Sequence, residues 1–110
     1  MSDAQTVVAE LRRWVEEFVD RRDWHQFHSP KNLAMSLAIE AAELMEHFQW
    51  LSPEQSRKVA RLTDQKAAVA EELADVFCYA LAMANELGLD LSTTLRRKMA
   101  KNEQKYPAGR

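Results

Sequence analysis

The stretch KNLAMSLAIEAAELMEHFQWL, residues 31–51, decides the fold. It holds no Gly or Pro and follows Ser29-Pro30, an N-cap residue with proline at the first helical position. At about 100° per residue, with Glu40 at zero, Leu33 and Leu51 fall near +20°, Leu44 near +40° and Leu37 near +60°. Glu43 falls near −60°, with Ser36 and His47 between the two acids. The opposite side carries Ala34, Ala38, Ala41 and Met45, so the helix is apolar nearly all round and two acids point where core side chains belong. The stretch DQKAAVAEELADVFCYALAMANEL, residues 64–87, repeats the arrangement. With Glu72 at zero, Val76, Met83 and Tyr79 lie within about 40° of it and Asp75 near −60°.

Outward from these two helices, Pro30, Pro53, Gly88, Pro107 and Gly109 divide the chain into helix-sized pieces. Val7, Val8, Leu11, Trp14, Val15, Phe18 and Val19 form one stripe of a first helix, with Ser2 and Gln5 as a capping box. Residues 20–28 lose the period and read as a loop. Ser52-Pro53 opens a short helix ending near Leu62. Asp64 caps the long helix, Gly88 follows its end, and Asp90 caps a last helix running to about Tyr106. The expectation is an all-α, four-helix bundle with a short connector helix, one domain over residues 1–110.

Composition narrows the function classes. The chain has 110 residues, two Gly and three Pro, too few turn residues for an all-β fold. One cysteine excludes an intrachain disulfide and a Cys-rich zinc site. A net charge of −2 is the wrong sign for a nucleic-acid binder, although five of the six cations after Leu95 lie within residues 96–105. No apolar run reaches the ~20 residues of a membrane span. A soluble, cytoplasmic protein is expected, with no membrane and no nucleic-acid partner.

Buried carboxylates need a cation or a hydrogen-bonded partner. Four acids from two helices, Glu40, Glu43, Glu72 and Asp75, suit a hard cation such as Mg²⁺ or Mn²⁺. The same acids also suit ion pairs with Lys or Arg of a neighbour, and a di-iron site is disfavoured because no Glu-x-x-His motif is present.

The spacing Glu40-x-x-Glu43, then Glu72-x-x-Asp75, resembles the signature of the MazG-like all-α NTP pyrophosphohydrolases. Arg22-Asp-Trp24-x-Gln-Phe-His28-x-Pro-x-Asn32-Leu, Glu46-x-Phe-Gln-Trp50 and Lys98-Met-x-x-Asn102-x-x-x-Tyr106-Pro107 are similar to the dCTP pyrophosphatase branch. The resemblance spans about residues 8–107. It implies a Mg²⁺-dependent enzyme, with Mn²⁺ substituting, that converts (deoxy)nucleoside triphosphates to the monophosphate and pyrophosphate. It also implies that Glu40, Glu43, Glu72 and Asp75 are metal ligands and catalytic residues. Trp24, His28, Trp50 and Tyr79 match substrate contacts, and Lys98 and Asn102 match positions near the phosphates or base. The dCTP-type members carry a His nine residues before the Trp24 position, where this chain has Val15.

Read on their own, Trp24 and Trp50 sit outside the helical stripes and either stack on a base or close the ends of a small core. His28 hydrogen-bonds a ligand or the helix start. Lys98 and Asn102, four apart on the last helix, meet a triphosphate or reach to water. Cys78 reads as core. The competing function is a non-enzymatic helical interaction module with ion-paired acidic faces. Two helices that are apolar all round exceed what one small bundle covers, so a homo-oligomer is expected, and the resemblance implies a tetramer built from dimers. Val15 in place of His leaves an apolar patch suited to a methyl, which points to dCTP and 5-substituted pyrimidine nucleotides.

Overall fold

A computed structural model describes residues 1–109. Five helices follow one another: α1 (Val8–Arg21), α2 (Pro30–Glu46), α3 (Pro53–Lys58), α4 (Thr63–Leu87) and α5 (Leu91–Lys105). Single 3-10 turns occupy His25–Phe27 and Val59–Arg61. There is no strand among the described residues, and the all-α class stands.

The capping chemistry places most boundaries. Ser29 Oγ accepts the Asn32 N–H at 3.1 Å. Ser52 and Gln55 form a reciprocal capping box, 3.1 Å in one direction and 2.9 Å in the other. Asp90 Oδ2 accepts from the Thr93 N–H at 3.0 Å and from its hydroxyl at 2.7 Å. Gly88 takes the left-handed conformation, φ 65°, and the Leu89 N–H reaches back to the Ala84 carbonyl, which is a Schellman ending.

Four boundaries differ from the sequence expectation. The Ser2–Gln5 capping box does not form: the Gln5 N–H bonds to the Ser2 carbonyl in a turn, and α1 starts at Val8 behind an extended Val7. Residues 20–28 are not all loop, since α1 continues to Arg21 and His25–Phe27 make one helical turn. α2 ends at Glu46 rather than near Leu51. The capping box needs Ser52 extended (ψ 160°), and Pro53 disfavours a helical Ser52, so the chain turns through residues 47–51 first. α4 begins at Thr63 with no side-chain cap, and Asp64 lies in its first turn, where a negative charge complements the helix dipole.

α2 runs along α4, α1 lies across α4, and the connector packs on the start of α4. α1 is pinned there by Arg12, whose Nε donates to Asn85 Oδ1 at 2.9 Å while Asn85 Nδ2 donates to the Arg12 carbonyl at 3.1 Å. The buried apolar set is small: Val19, Leu33, Val59, Leu81, Ala82 and Ala84, of which Leu33 is 1% exposed. The fourth main helix adds little to this core. In α5 only Leu91 and Asn102 are half-buried, and the helix packs substantially against no other. Within one chain the bundle is therefore α1, α2 and α4, with α5 projecting. The accessible surface is 8915 Å², against about 6,200 Å² for a compact monomer of this mass. The radius of gyration is 16.6 Å, where about 13 Å is ordinary. Ile39 on α2 (58% exposed) and Phe77 on α4 (48%) lie uncovered. No helix among the described residues is long and apolar enough to cross a membrane.

Candidate active site

The two acid pairs face one another because α2 and α4 pack side by side with the pairs at matching heights. Glu40, Glu43 and Glu72 each offer an oxygen, and these atoms lie within 4.8 Å of one another. Oε2 of Glu40 and Oε2 of Glu72 are shielded from solvent and lack any hydrogen-bond partner. No Lys or Arg forms an ion pair with any of the four acids among the described residues. Burial raises the pKa of Glu40 above the usual carboxylate range, and Glu43, Asp75 and Glu72 add to the shift. Glu72 is raised in the same way, first by burial and then by Glu43 and Asp75, with His47 acting against them. Oxygen donors at this spacing, short of positive charge, fit a hard divalent cation. Asp75 stands beside this group rather than within it: its charge acts on Glu40, Glu72 and Cys78.

Next to the acids is a cavity of about 230 Å³, lined by Val15, Phe18, Trp24, His28, Glu40, Asp75, Cys78 and Tyr79, with Val19 and Ala82 behind. It is smaller than the ~300–1,000 Å³ of sites that enclose a drug-sized ligand, and its size suits a planar ring system whose polar tail leaves toward the carboxylates. The Trp24 ring meets Phe18 edge-on, centroids 5.6 Å apart, and tilts over His28 at 6.2 Å. The Arg22 guanidinium lies 3.6 Å above the Phe18 ring and 5.9 Å from Trp24, bracing the aromatic wall from outside. His28 Nδ1 is shielded from solvent and unpartnered, so it is free to hydrogen-bond an occupant. A larger groove of about 390 Å³, between His47, Leu51, Gln55 and Val59, carries no acid.

Trp24, His28, Tyr79, Glu40 and Asp75 thus line one cavity, with Glu43 and Glu72 adjoining. Trp50, Lys98 and Asn102 do not join them within one chain. Trp50 lies in the turns after α2, 87% exposed, and Lys98 and Asn102 ride on the projecting α5. Phe18 and Cys78 were not singled out by the sequence, and both line the cavity. Cys78 opens onto the cavity rather than the core, and partial desolvation of its thiol there, with the charge of Asp75, raises its pKa. The signal was present on the helical wheel, where Cys78 falls next to Asp75 at about 60°.

The chain is similar to several known proteins. Rat (Rattus norvegicus) dCTP pyrophosphatase 1 is 40% identical over 103 residues, which cover 94% of this chain and 61% of the rat protein. The human (Homo sapiens) dCTP pyrophosphatase 1 is 38% identical over 104 residues, again 94% of this chain and 61% of the relative. The chain therefore spans about three fifths of the length of these relatives. The crystal structure of a pyrophosphatase from Archaeoglobus fulgidus superposes with a TM-score of 0.84 at 41% identity, covering 97% of this chain and 98% of that one. The sequence model of the MazG-like family matches residues 35–110, a span that holds both acid pairs, all of α4 and α2 from residue 35 onward. With its signature and fold in agreement, the chain belongs to the MazG-like family.

Proposed function

We propose that this chain hydrolyses nucleoside triphosphates at the α–β anhydride, giving the monophosphate and pyrophosphate. The observation that carries the reading is the set of carboxylate oxygens within 4.8 Å of one another, without a cationic partner, beside an aromatic cavity. Glu40, Glu43, Glu72 and Asp75 would hold Mg²⁺, or Mn²⁺ in its place. A cation bound there supplies a positive centre that neutralises phosphate oxygens and acidifies water. Trp24 stacks on the base, His28 Nδ1 hydrogen-bonds its edge, and Tyr79 closes the far wall. The attacking group is water, since no side chain of the cavity pairs a nucleophile with a base that would activate it. The water gives its proton to a carboxylate of the acid set. The names of the rat and human relatives support dCTP as substrate, and Val15 at the cavity wall supports tolerance of a 5-methyl group. A nucleoside triphosphate substrate supports a cytoplasmic location.

The uncovered faces of α2 and α4 and the projecting α5 support a homo-oligomer. The surface in excess of a compact monomer is more than one interface of standard size takes from a partner, about 800 Å². In that assembly Lys98, Asn102 and Trp50 would complete a neighbour's site. Light scattering should show a dimer or tetramer, and a stable monomer at micromolar concentration would refute it.

The activity is tested by pyrophosphate release from dCTP, 5-methyl-dCTP, dTTP, dUTP and dATP with Mg²⁺. Glu43→Ala and Asp75→Ala should each abolish release while leaving helicity unchanged. Turnover retained in both variants would overturn the site.

A further inference from the structure

His25 lies outside the cavity and outside the acid pairs, yet its ring meets three carboxylates, more than any other basic side chain among the described residues. Its Nδ1 is 2.7 Å from Glu86 Oε1 on α4, and its Nε2 is 2.9 Å from Glu16 Oε1 and 3.7 Å from Asp20 Oδ1 on α1. Carboxylates accept and do not donate, and a neutral imidazole donates from one nitrogen only. With acids at both nitrogens, the arrangement is satisfied only by the imidazolium. No other charged group bears on the ring.

The position of His25 in the chain gives this its meaning. It opens the turn His25–Phe27, between Trp24 and His28, both of which wall the cavity. The remaining bonds of this segment are local or come from one side. The Trp24 N–H reaches Val19, Gln26 Nε2 donates to the Asp23 carbonyl, and Asn32 Nδ2 donates to the Phe27 carbonyl. Asp23, at φ 55°, holds a left-handed conformation unfavourable for a residue with a side chain. Among the hydrogen bonds of the described residues, only the His25 side chain fastens the segment to α4, the helix that carries Asp75, Cys78 and Tyr79.

We propose that His25 is a positioning residue of the nucleotide pocket: its charged ring, held between Glu16 and Asp20 of α1 and Glu86 of α4, fixes the segment Trp24–His28 as the wall of the cavity. The proposal rests on the nucleotide-pocket reading. Hydrogen bonding to Glu86 holds the pKa of His25 above its ordinary value, burial acts against this, and the charges of Glu16, Glu86 and Asp20 reinforce it. A raised histidine pKa means the clamp is complete below the ordinary value and is lost as pH rises through the folded one. KM for the triphosphate should therefore rise with pH through that transition, while kcat, set at the carboxylates, follows its own profile.

The experiment uses the full chain with His25→Gln, neutral at every pH, and His25→Arg, charged at every pH and able to span both acids. Amide hydrogen exchange at Trp24, Phe27 and His28 reads the clamp without reference to activity, and KM and kcat for dCTP with Mg²⁺ from pH 6 to 9 read its effect. Loss of exposed ion pairs predicts KM about two- to fivefold higher in His25→Gln at pH 6, converging with wild type at pH 9. Exchange should be faster in His25→Gln, and His25→Arg should keep the low KM throughout. If His25→Gln leaves exchange unchanged, or keeps the wild-type pH dependence of KM, the clamp is wrong. If exchange responds as expected while no triphosphate is hydrolysed, the clamp stands and the enzymatic reading fails.

Discussion

Adding Mg²⁺ should stabilise the chain by an amount that the acid cluster sets. Oxygens of Glu40, Glu43 and Glu72 lie within 4.8 Å of one another with no cationic partner among the described residues, a site present in the folded chain and absent from the unfolded one. A ligand that binds only the native state, at one hundred times its dissociation constant, adds about 2.7 kcal/mol. An unfolding entropy of about 2.1 cal/mol/K per residue gives roughly 0.23 kcal/mol/K for a chain this long, so the midpoint should rise about 12 °C. The pH dependence has a fixed sign. The raised pKa values of Glu40 and Glu72 mean that their contribution to stability is fully present below the ordinary carboxylate range and is lost as pH rises through the folded values. The metal-free chain should therefore gain stability from this cluster on acidification. The Mg²⁺-induced rise should shrink, because protons and cation compete for the same oxygens. Thermal melts followed by circular dichroism at pH 5.5 and 7.5, with and without 10 mM Mg²⁺, measure both trends. Glu43→Gln should raise the metal-free midpoint at pH 7.5 and lose most of the Mg²⁺ effect. A midpoint indifferent to Mg²⁺ at both pH values, or a rise of equal size in Glu43→Gln, would refute the cluster as a cation site and favour an ion-paired interaction module.

Leu33→Ala, at the best-buried large side chain, should cost about 2–5 kcal/mol in urea unfolding, because α2 and α4 have few other buried residues with which to fill the gap. Gly88→Ala should cost about 1–2 kcal/mol through backbone conformation alone, since an added Cβ meets nothing within 4 Å while φ stays at 65°. Val15→His should lower the kcat/KM ratio of 5-methyl-dCTP to dCTP by about fourfold or more, the worth of one buried methyl; an unchanged ratio would place the 5-position elsewhere.

The features legible in the sequence are those governed by short-range rules. Ser29, Ser52, Asp90 and Gly88 declare helix ends through their own hydrogen bonds or backbone preference, and each does so in the structure. The acids were legible because i, i+3 spacing on an apolar helix face is independent of where that helix packs. The end of α2 was not, since residues 47–51 keep a helical pattern and only the geometry demanded by Ser52-Pro53 turns the chain. Phe18 and Cys78 were missed for a related reason. An apolar stripe reads as core, and whether core residues meet one another or surround a cavity depends on how α1 crosses α4. Trp50, Lys98 and Asn102 carry motif signals that one chain does not gather, which sequence order alone does not reveal.

The projection of α5 also bears on when that helix exists. Its fifteen residues, capped by Asp90, have almost no burial within their own chain. Isolated helices of that length are marginal in water. In the homo-oligomer proposed above, the helicity of residues 91–105 would be tied to the neighbouring surface, and dilution would become a structural variable: far enough below the association threshold, this segment would unwind while α1, α2 and α4 stay packed, and the regular array of Arg96, Arg97, Lys98 and Lys101 would be lost with it.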